Sequence, residues 1–271
     1  MDNLIIVRGG GDLATGTIHR LWRAGFHVLV LETDAPAAIR RQVSVCEAVY
    51  SKEVVIESMR ARLVEDIQAV KSVIEDGDVP VLVDPKGECI FKLAPYVVVD
   101  AIMAKKNLGT TKRMAPVTIA LGPGFEAGVD VDYVVETKRG HDLGRIIIEG
   151  FAVENTGVPG NIGGYTSERV MKSPEAGRFI ALKEIGAIVQ AGEVLGQVET
   201  EDGALADVIT TIPGILRGIL KNGYQVTEGF KLADVDPRIE ELKNCFTISD
   251  KARSIAGSVL EICIATQNWK L

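Results

Sequence analysis

The sequence predicts an α/β fold: a Rossmann-like parallel sheet at the amino terminus, a glycine-rich β region in the middle, a β module built from an internal repeat, and a terminal helix. Three observations predict it. An unbroken apolar run, Leu4 to Val7, leads directly into the glycine loop "RGGGDLATG". Strand-like and helix-like runs alternate over the first hundred residues, as in an α/β layer. Near the carboxyl end, two stretches repeat one order of prolines, glycines and short apolar runs. The expected segments are 1–112 for the Rossmann-like, nucleotide- or phosphate-binding part, 113–168 for the glycine-rich β region, 169–236 for the module and 237–271 for a helical tail.

Composition narrows the function classes. The chain has 271 residues, 46% hydrophobic and 25% charged, enough for a large core. A net charge of −7 without a Lys/Arg stripe argues against nucleic acid. The amino terminus shows no signal-peptide pattern and no apolar run is long enough to span a bilayer, so a cytoplasmic protein off the membrane is expected. Cys46, Cys89, Cys245 and Cys263 lack metal-ligand or redox spacing and read as small buried hydrophobes. With only three histidines, no metal site is assigned.

The first element is a short β-branched run, typical of a strand buried on both faces of a parallel sheet. Gly9, Gly11 and Ala14 follow in a G-x-G-x-x-A arrangement, with Gly10 and Asp12 between them. The first glycine permits the tight turn, the second lets backbone approach a pyrophosphate, and the small third residue allows close packing under a helix N-terminus. A helix over 16–24 and a strand over 27–31 come next, ending at Glu32, where a carboxylate can read a ribose hydroxyl. Periodicity then predicts a helix over 58–75, a strand over 79–84, and a strand over 96–99 followed by a helix over 101–106. Asp100 lies at the carboxyl end of a strand, the ligand edge of open α/β sheets.

The middle stretch predicts strands over 117–121, 133–136 and 145–149, separated by glycine turns. Gly122 and Gly124 end one strand. Glu136, Arg139, His141 and Arg145 fall within the next loop: an acid, a titratable imidazole and two guanidiniums suited to anions. The bland reading of this loop is a polar hairpin with surface ion pairs.

Ser173 to Glu199 and Ile212 to Asp236 are the two repeats. Their turn spacing resembles the barrel-sandwich hybrid of biotinyl and lipoyl carrier domains. The junction "TEDGALADVITT" has no lysine to carry a swinging cofactor, so a docking role is expected instead. In the tail, Ser249 is placed to cap a helix over 250–264, with Ile255, Val259, Ile262 and Cys263 on one apolar face.

With "AIRRQVSVCEAVY", "VDAIMAKKN", "LGPGFEAGVDVDYVVETKRGHDLGR", "NTGVPG" and "SDKARSIAGSVLE" added to the glycine loop, the chain resembles the YqeB family of maturation proteins associated with selenium-dependent molybdenum hydroxylases. Its amino-terminal half is also similar to the Rossmann-like part of xanthine dehydrogenase accessory factors. The resemblance implies an accessory protein that binds or modifies the molybdenum cofactor, as molybdopterin or its dinucleotide, with a hydroxylase client and other maturation proteins as partners. Under it, Gly9, Gly10, Gly11, Asp12 and Ala14 hold the phosphate, Glu32 reads a ribose, and Asp100, Gly122, Gly124, Arg139 and Arg145 line the ligand. Glu136 and His141 then carry the proton chemistry. Two alternatives stand beside this: an NAD-dependent dehydrogenase, and a non-catalytic docking scaffold. The terminal helix fits either an interdomain clasp or a homo-oligomer, and Cys46, near Arg40 and Arg41, is a weaker candidate for a chalcogen carrier.

Overall fold

The computed structural model describes residues 3–154, 157 and 159–268. Residues 155, 156 and 158 of the NTGVPG motif lie outside the described residues. The chain forms two compact units. Unit 1 comprises residues 3–36, 44–154 and 248–268, and unit 2 comprises Ala37–Val43 with 157 and 159–247.

Unit 1 is built on one nine-stranded sheet. Its strands are β1 (Leu4–Arg8), β2 (His27–Glu32), β3 (Glu53–Ile56), β4 (Met59–Val64), β5 (Val79–Val83), β6 (Val97–Asp100), β7 (Val117–Leu121), β9 (Tyr133–Val135) and β10 (Ile146–Ile147). A separate two-stranded ribbon pairs β8 (Glu126–Ala127) with β11 (Gly150–Phe151). The order across the sheet is β10-β9-β7-β6-β1-β2-β5-β4-β3, parallel from β9 to β4, with β10 and β3 antiparallel at the edges. The central strands are apolar on both faces because helices and loops cover both; Leu4 to Arg8 and Val97 to Asp100 are buried throughout. The chain leaves β1 toward β2 and returns through β6 on β1's other side, which makes the carboxyl ends of β1 and β6 a topological switch point.

The helices are α1 (Asp12–Arg23), α2 (Ala48–Ser51), α3 (Val70–Glu75), α4 (Glu88–Leu93) and α5 (Asp250–Asn268). The apolar face expected on the tail helix is buried inside unit 1: Ile255, Val259, Ile262 and Cys263 share one core with Ile18 and Leu21 of α1. The Ser249 hydroxyl accepts the Ala252 N–H at 3.2 Å, capping α5.

Unit 2 holds β12 (Val170–Lys172), β13 (Gly177–Ala181), β14 (Ile188–Val189), β15 (Val194–Glu199), β16 (Leu205–Ile209), β17 (Gly214–Ile219), β18 (Gln225–Val226) and β19 (Lys231–Asp236). They form two four-stranded antiparallel sheets, β12-β19-β17-β14 and β16-β15-β13-β18. Each repeat lends its short middle strand to the other's sheet: β14 pairs with β17, and β18 with β13. One core, including Phe179, Leu195, Leu216 and Leu232, joins them.

The sequence-based organisation needs correction. The sheet is mixed and does not stop near residue 112: the glycine-rich stretch adds β7, β9 and β10 to it, and the tail adds α5 to its helical layer. The run 58–75 is not one helix. Met59 to Val64 is a strand and only Val70 to Glu75 is helical, because the Asp66 carboxylate accepts the Gln68 and Ala69 N–H groups in a turn that divides them. The expected helix over 101–106 is an irregular loop with Met103 at φ 61° and Lys105 at φ 62°. The segment around Cys46 forms two short 3-10 turns, Arg41–Val43 and Val45–Glu47.

Candidate functional site

The glycine loop leaves β1 at the switch point, and its three glycines do different work. Gly9 adopts φ +93°, and a Cβ there would lie 3.0 Å from the Ala101 carbonyl and from Ile102. Gly10 has no room for a side chain, since a Cβ would sit 2.9 Å from the Cys46 nitrogen. Its N–H donates to Glu32 Oε1 at 2.6 Å and its carbonyl accepts the Cys46 N–H at 2.9 Å. Gly11 is the N-cap of α1 at φ −65°, ψ −179°, without a side-chain cap bond, and a Cβ there meets nothing within 4 Å. The open backbone position expected of a phosphate loop is therefore Gly11. Ala14 is buried beneath it in α1.

Glu32 differs from the ribose reader expected from its position. Its second oxygen accepts the Thr33 N–H at 2.9 Å, and burial raises its carboxyl above the ordinary range. The carboxylate is engaged by the glycine loop rather than offered to a sugar.

Asp100, at the end of β6, is 2% exposed. It accepts the Thr110 hydroxyl at 2.5 Å and the Ile102 N–H at 3.2 Å, and lies 3.9 Å from the buried Arg8 guanidinium. Arg8 in turn donates to Thr110 and to the Pro85 carbonyl. Burial raises the Asp100 pKa against these stabilising partners. The network closes the sheet beneath the loops and leaves Asp100 no face toward a ligand. Gly122, at φ +77°, sits under Thr137, and Gly124, at φ +107°, lies against the Lys105–Lys106 backbone; a Cβ at Gly124 would be 2.7 Å from the Lys106 nitrogen. Both glycines serve loop packing. The strained 101–109 loop is wedged between Gly9 and Gly124, a placement common at functional edges.

The tail helix brings a residue that the sequence reading missed. A Cβ on Gly16 would lie 2.7 Å from the Ala252 Cβ, so α1 and α5 touch near their amino-terminal ends. Gln267 bonds Asn3 at 2.9 Å, at the opposite edge of the sheet, so both helices begin at the carboxyl edge and run the same way. Lys251, in the first turn of α5, makes no hydrogen bond or ion pair among the described residues. Burial lowers its pKa, opposed by the charge of Asp12, with Arg139, Glu136 and Asp250 as further influences. A lysine in a helix's first turn runs against the helix dipole, and that was the available signal.

The 136–145 loop resolves into a hairpin in which Glu136, Arg139 and Arg145 each have partners. Glu136 is 3% exposed, and its two oxygens accept the Lys138 N–H at 2.7 Å and the Val153 N–H at 2.8 Å. Arg139 forms a bidentate pair with Asp250 at 2.7 and 2.8 Å, and Arg145 pairs with Asp142 at 2.6 Å. His141 is exposed, and among the described residues no hydrogen bond joins it to Glu136. Cys46 is buried, and desolvation with Glu32, Glu47 and Asp12 pushes its thiol well above the ordinary range, which removes the activated thiolate expected beside Arg40 and Arg41. Among the described residues no group of three His, Cys, Asp or Glu side chains is placed to hold a metal, and no helix is long and apolar enough to cross a membrane.

Comparison with known proteins places the chain beside one curated relative. It is 45% identical over 258 residues to the uncharacterized protein YqeB of Escherichia coli (strain K12), covering 95% of this chain and 47% of that protein. The chain thus spans about half the length of the curated relative it matches, and is homologous to that part of YqeB. No family model matches. Solved structures with a likeness include an aspartoacylase family protein of Mesorhizobium loti (TM-score 0.29, 13% identity, 87% of this chain and 85% of that one). A succinylglutamate desuccinylase/aspartoacylase of Rhodobacter sphaeroides gives TM-score 0.29 and 14% identity over 86% of this chain and 85% of that one. The ectoine utilization protein of Ruegeria pomeroyi gives 0.27 and 11% over 86% and 85%.

These findings correct two expectations. The large sheet is mixed, with antiparallel strands at both edges, which corrects the expectation of a Rossmann-like parallel sheet joined to a carrier-type barrel-sandwich. The fold is α/β with a large mixed sheet and further antiparallel sheets. Molybdenum-hydroxylase maturation is withdrawn as the function, together with its dehydrogenase and scaffold alternatives: the relative that carries the resemblance is described only as uncharacterized, and no family model supplies an activity. At such TM-scores the likenesses carry no argument for hydrolase chemistry here.

Proposed function

We propose, on the premise that this chain is the counterpart of one half of YqeB, that unit 1 binds a phosphate-bearing small molecule at the carboxyl edge of its sheet. One observation carries the reading. Gly11 is the loop glycine whose missing side chain faces open space, at the start of a 12-residue helix with no side-chain cap, and the half-buried Lys251, which feels the charge of the adjoining Asp12, has no ion pair among the described residues. Backbone N–H groups and the helix dipole favour an anion there, and an ammonium in a partly desolvated site attracts one more strongly than in water. Glu32 is occupied by Gly10 and Thr33, so the ligand is recognised through its phosphate and not its sugar. Asp12 sets a limit on ligand charge, since it adds repulsion that Lys251 must offset.

Calorimetric titration with inorganic pyrophosphate, NAD and molybdopterin tests this. Gly11 has an ordinary φ and free space, so Gly11→Val leaves the fold intact while filling the approach. The expected result is binding of pyrophosphate and of at least one of the larger ligands, weakened about tenfold or more in Gly11→Val and in Lys251→Met. Equal binding by wild type and both variants, or none by wild type, overturns the proposal.

A further inference from the structure

We propose that the segment joining β2 to α2 is a tether through which unit 2 controls the glycine loop. Its ends belong to unit 1 and its middle, Ala37–Val43, to unit 2. Both ends hold the same residue, Gly10. Upstream, Glu32 accepts the Gly10 N–H; downstream, the Cys46 N–H donates to the Gly10 carbonyl. A third bond runs from the Val45 N–H to the Thr15 hydroxyl at 3.0 Å, and that hydroxyl donates to the Gly11 carbonyl at 2.8 Å. The Tyr50 hydroxyl donates to the Pro36 carbonyl at 2.8 Å, tying one arm to the other.

The middle is bonded just as specifically within unit 2. β14 covers only the Gly214–Ile215 end of β17. Further along, the Ile39 carbonyl accepts the Ile219 N–H at 2.9 Å and Arg41 Nε donates to the Ile219 carbonyl at 3.0 Å. Arg40 donates to the Asn244 carbonyl at 2.9 Å. Gly218 makes room, since a Cβ there would lie 3.0 Å from the Ile39 carbonyl oxygen. The two consecutive 3-10 turns stiffen the downstream arm, and Val43 to Cys46 are buried without a break.

The consequence is a gate. While the tether is seated, Glu32 occupies the Gly10 N–H, an amide that an anion in this loop needs. Release of the middle from β17 loosens both arms, frees that amide and admits the anion; by linkage, a bound anion favours release. The ligand half of this statement rests on the phosphate reading above, whereas the mechanical coupling does not.

Hydrogen exchange on the full chain tests the coupling without any ligand. Gly218→Val displaces Ile39, and Arg41→Ala removes one seating bond more gently. The expected result is roughly tenfold faster exchange at the Gly10 and Cys46 amides in Gly218→Val and a smaller change in the same direction in Arg41→Ala, with β5 and β15 unchanged. If Gly218→Val also deprotects β15, the milder variant decides. Faster exchange confined to the tether's middle, with Gly10 and Cys46 unmoved, overturns the proposal. Titration of inorganic pyrophosphate into both variants then reads the gate, with tighter binding expected than in wild type. Absence of pyrophosphate binding throughout defeats the phosphate reading and leaves the exchange result standing.

Discussion

The glycine loop and the 136–145 hairpin both lie at the carboxyl edge of one sheet, and they use their residues in opposite ways. The hairpin carries the more reactive side chains, yet its buried acid is held by two N–H groups and its guanidiniums by neighbouring carboxylates. The loop carries almost no side chains, yet it leaves one backbone position open at a helix N-terminus beside a lysine. A cluster of chemical residue types is therefore weaker evidence of a site than a position whose hydrogen-bonding capacity the fold leaves unused.

The comparison can be broken at its floor first. Asp100→Ala leaves Arg8 buried without its carboxylate and should cost about 3–5 kcal/mol in urea unfolding followed by fluorescence. A loss under about 1 kcal/mol would mean that this network is not what holds the edge together. On the hairpin, Glu136→Gln keeps one acceptor and loses the other, with an expected cost of about 1–3 kcal/mol and no change in pyrophosphate affinity beyond about twofold. A selective loss of affinity at unchanged stability would restore Glu136 to the site. Smallest is the effect of Arg139→Ala and His141→Ala. The Arg139–Asp250 pair is exposed and should be worth about 0.2–1 kcal/mol, and His141→Ala should stay within about 0.5 kcal/mol. A large affinity change in His141→Ala would make the hairpin the functional region after all.

Much of the sheet was legible in the sequence because buried parallel strands write themselves as β-branched runs, as in Leu4–Val7 and Val117–Leu121. α1 and its glycines were legible for the same local reason. The run 58–75 was not, since alternation in Met59–Val64 and helical spacing in Val70–Glu75 merge into one apparent helix unless Asp66 is recognised as a turn. Nor was the 101–109 loop, where tertiary packing against Gly9 and Gly124 overrides a helical composition. The site was half legible. Gly11 followed from spacing, but Glu32 was assigned to a ribose because spacing does not reveal that its carboxylate folds back on Gly10. Lys251 lies far away in sequence and reaches the edge only through α5 packing on α1.

The most direct test of the central claim is a pyrophosphate titration of wild type, Gly11→Val and the hairpin double variant Arg139→Ala/His141→Ala, at matched stability. The account predicts that Gly11→Val loses about tenfold or more in affinity while the double variant stays within about twofold of wild type. The reverse pattern, with Gly11→Val unaffected and the double variant impaired, would contradict it.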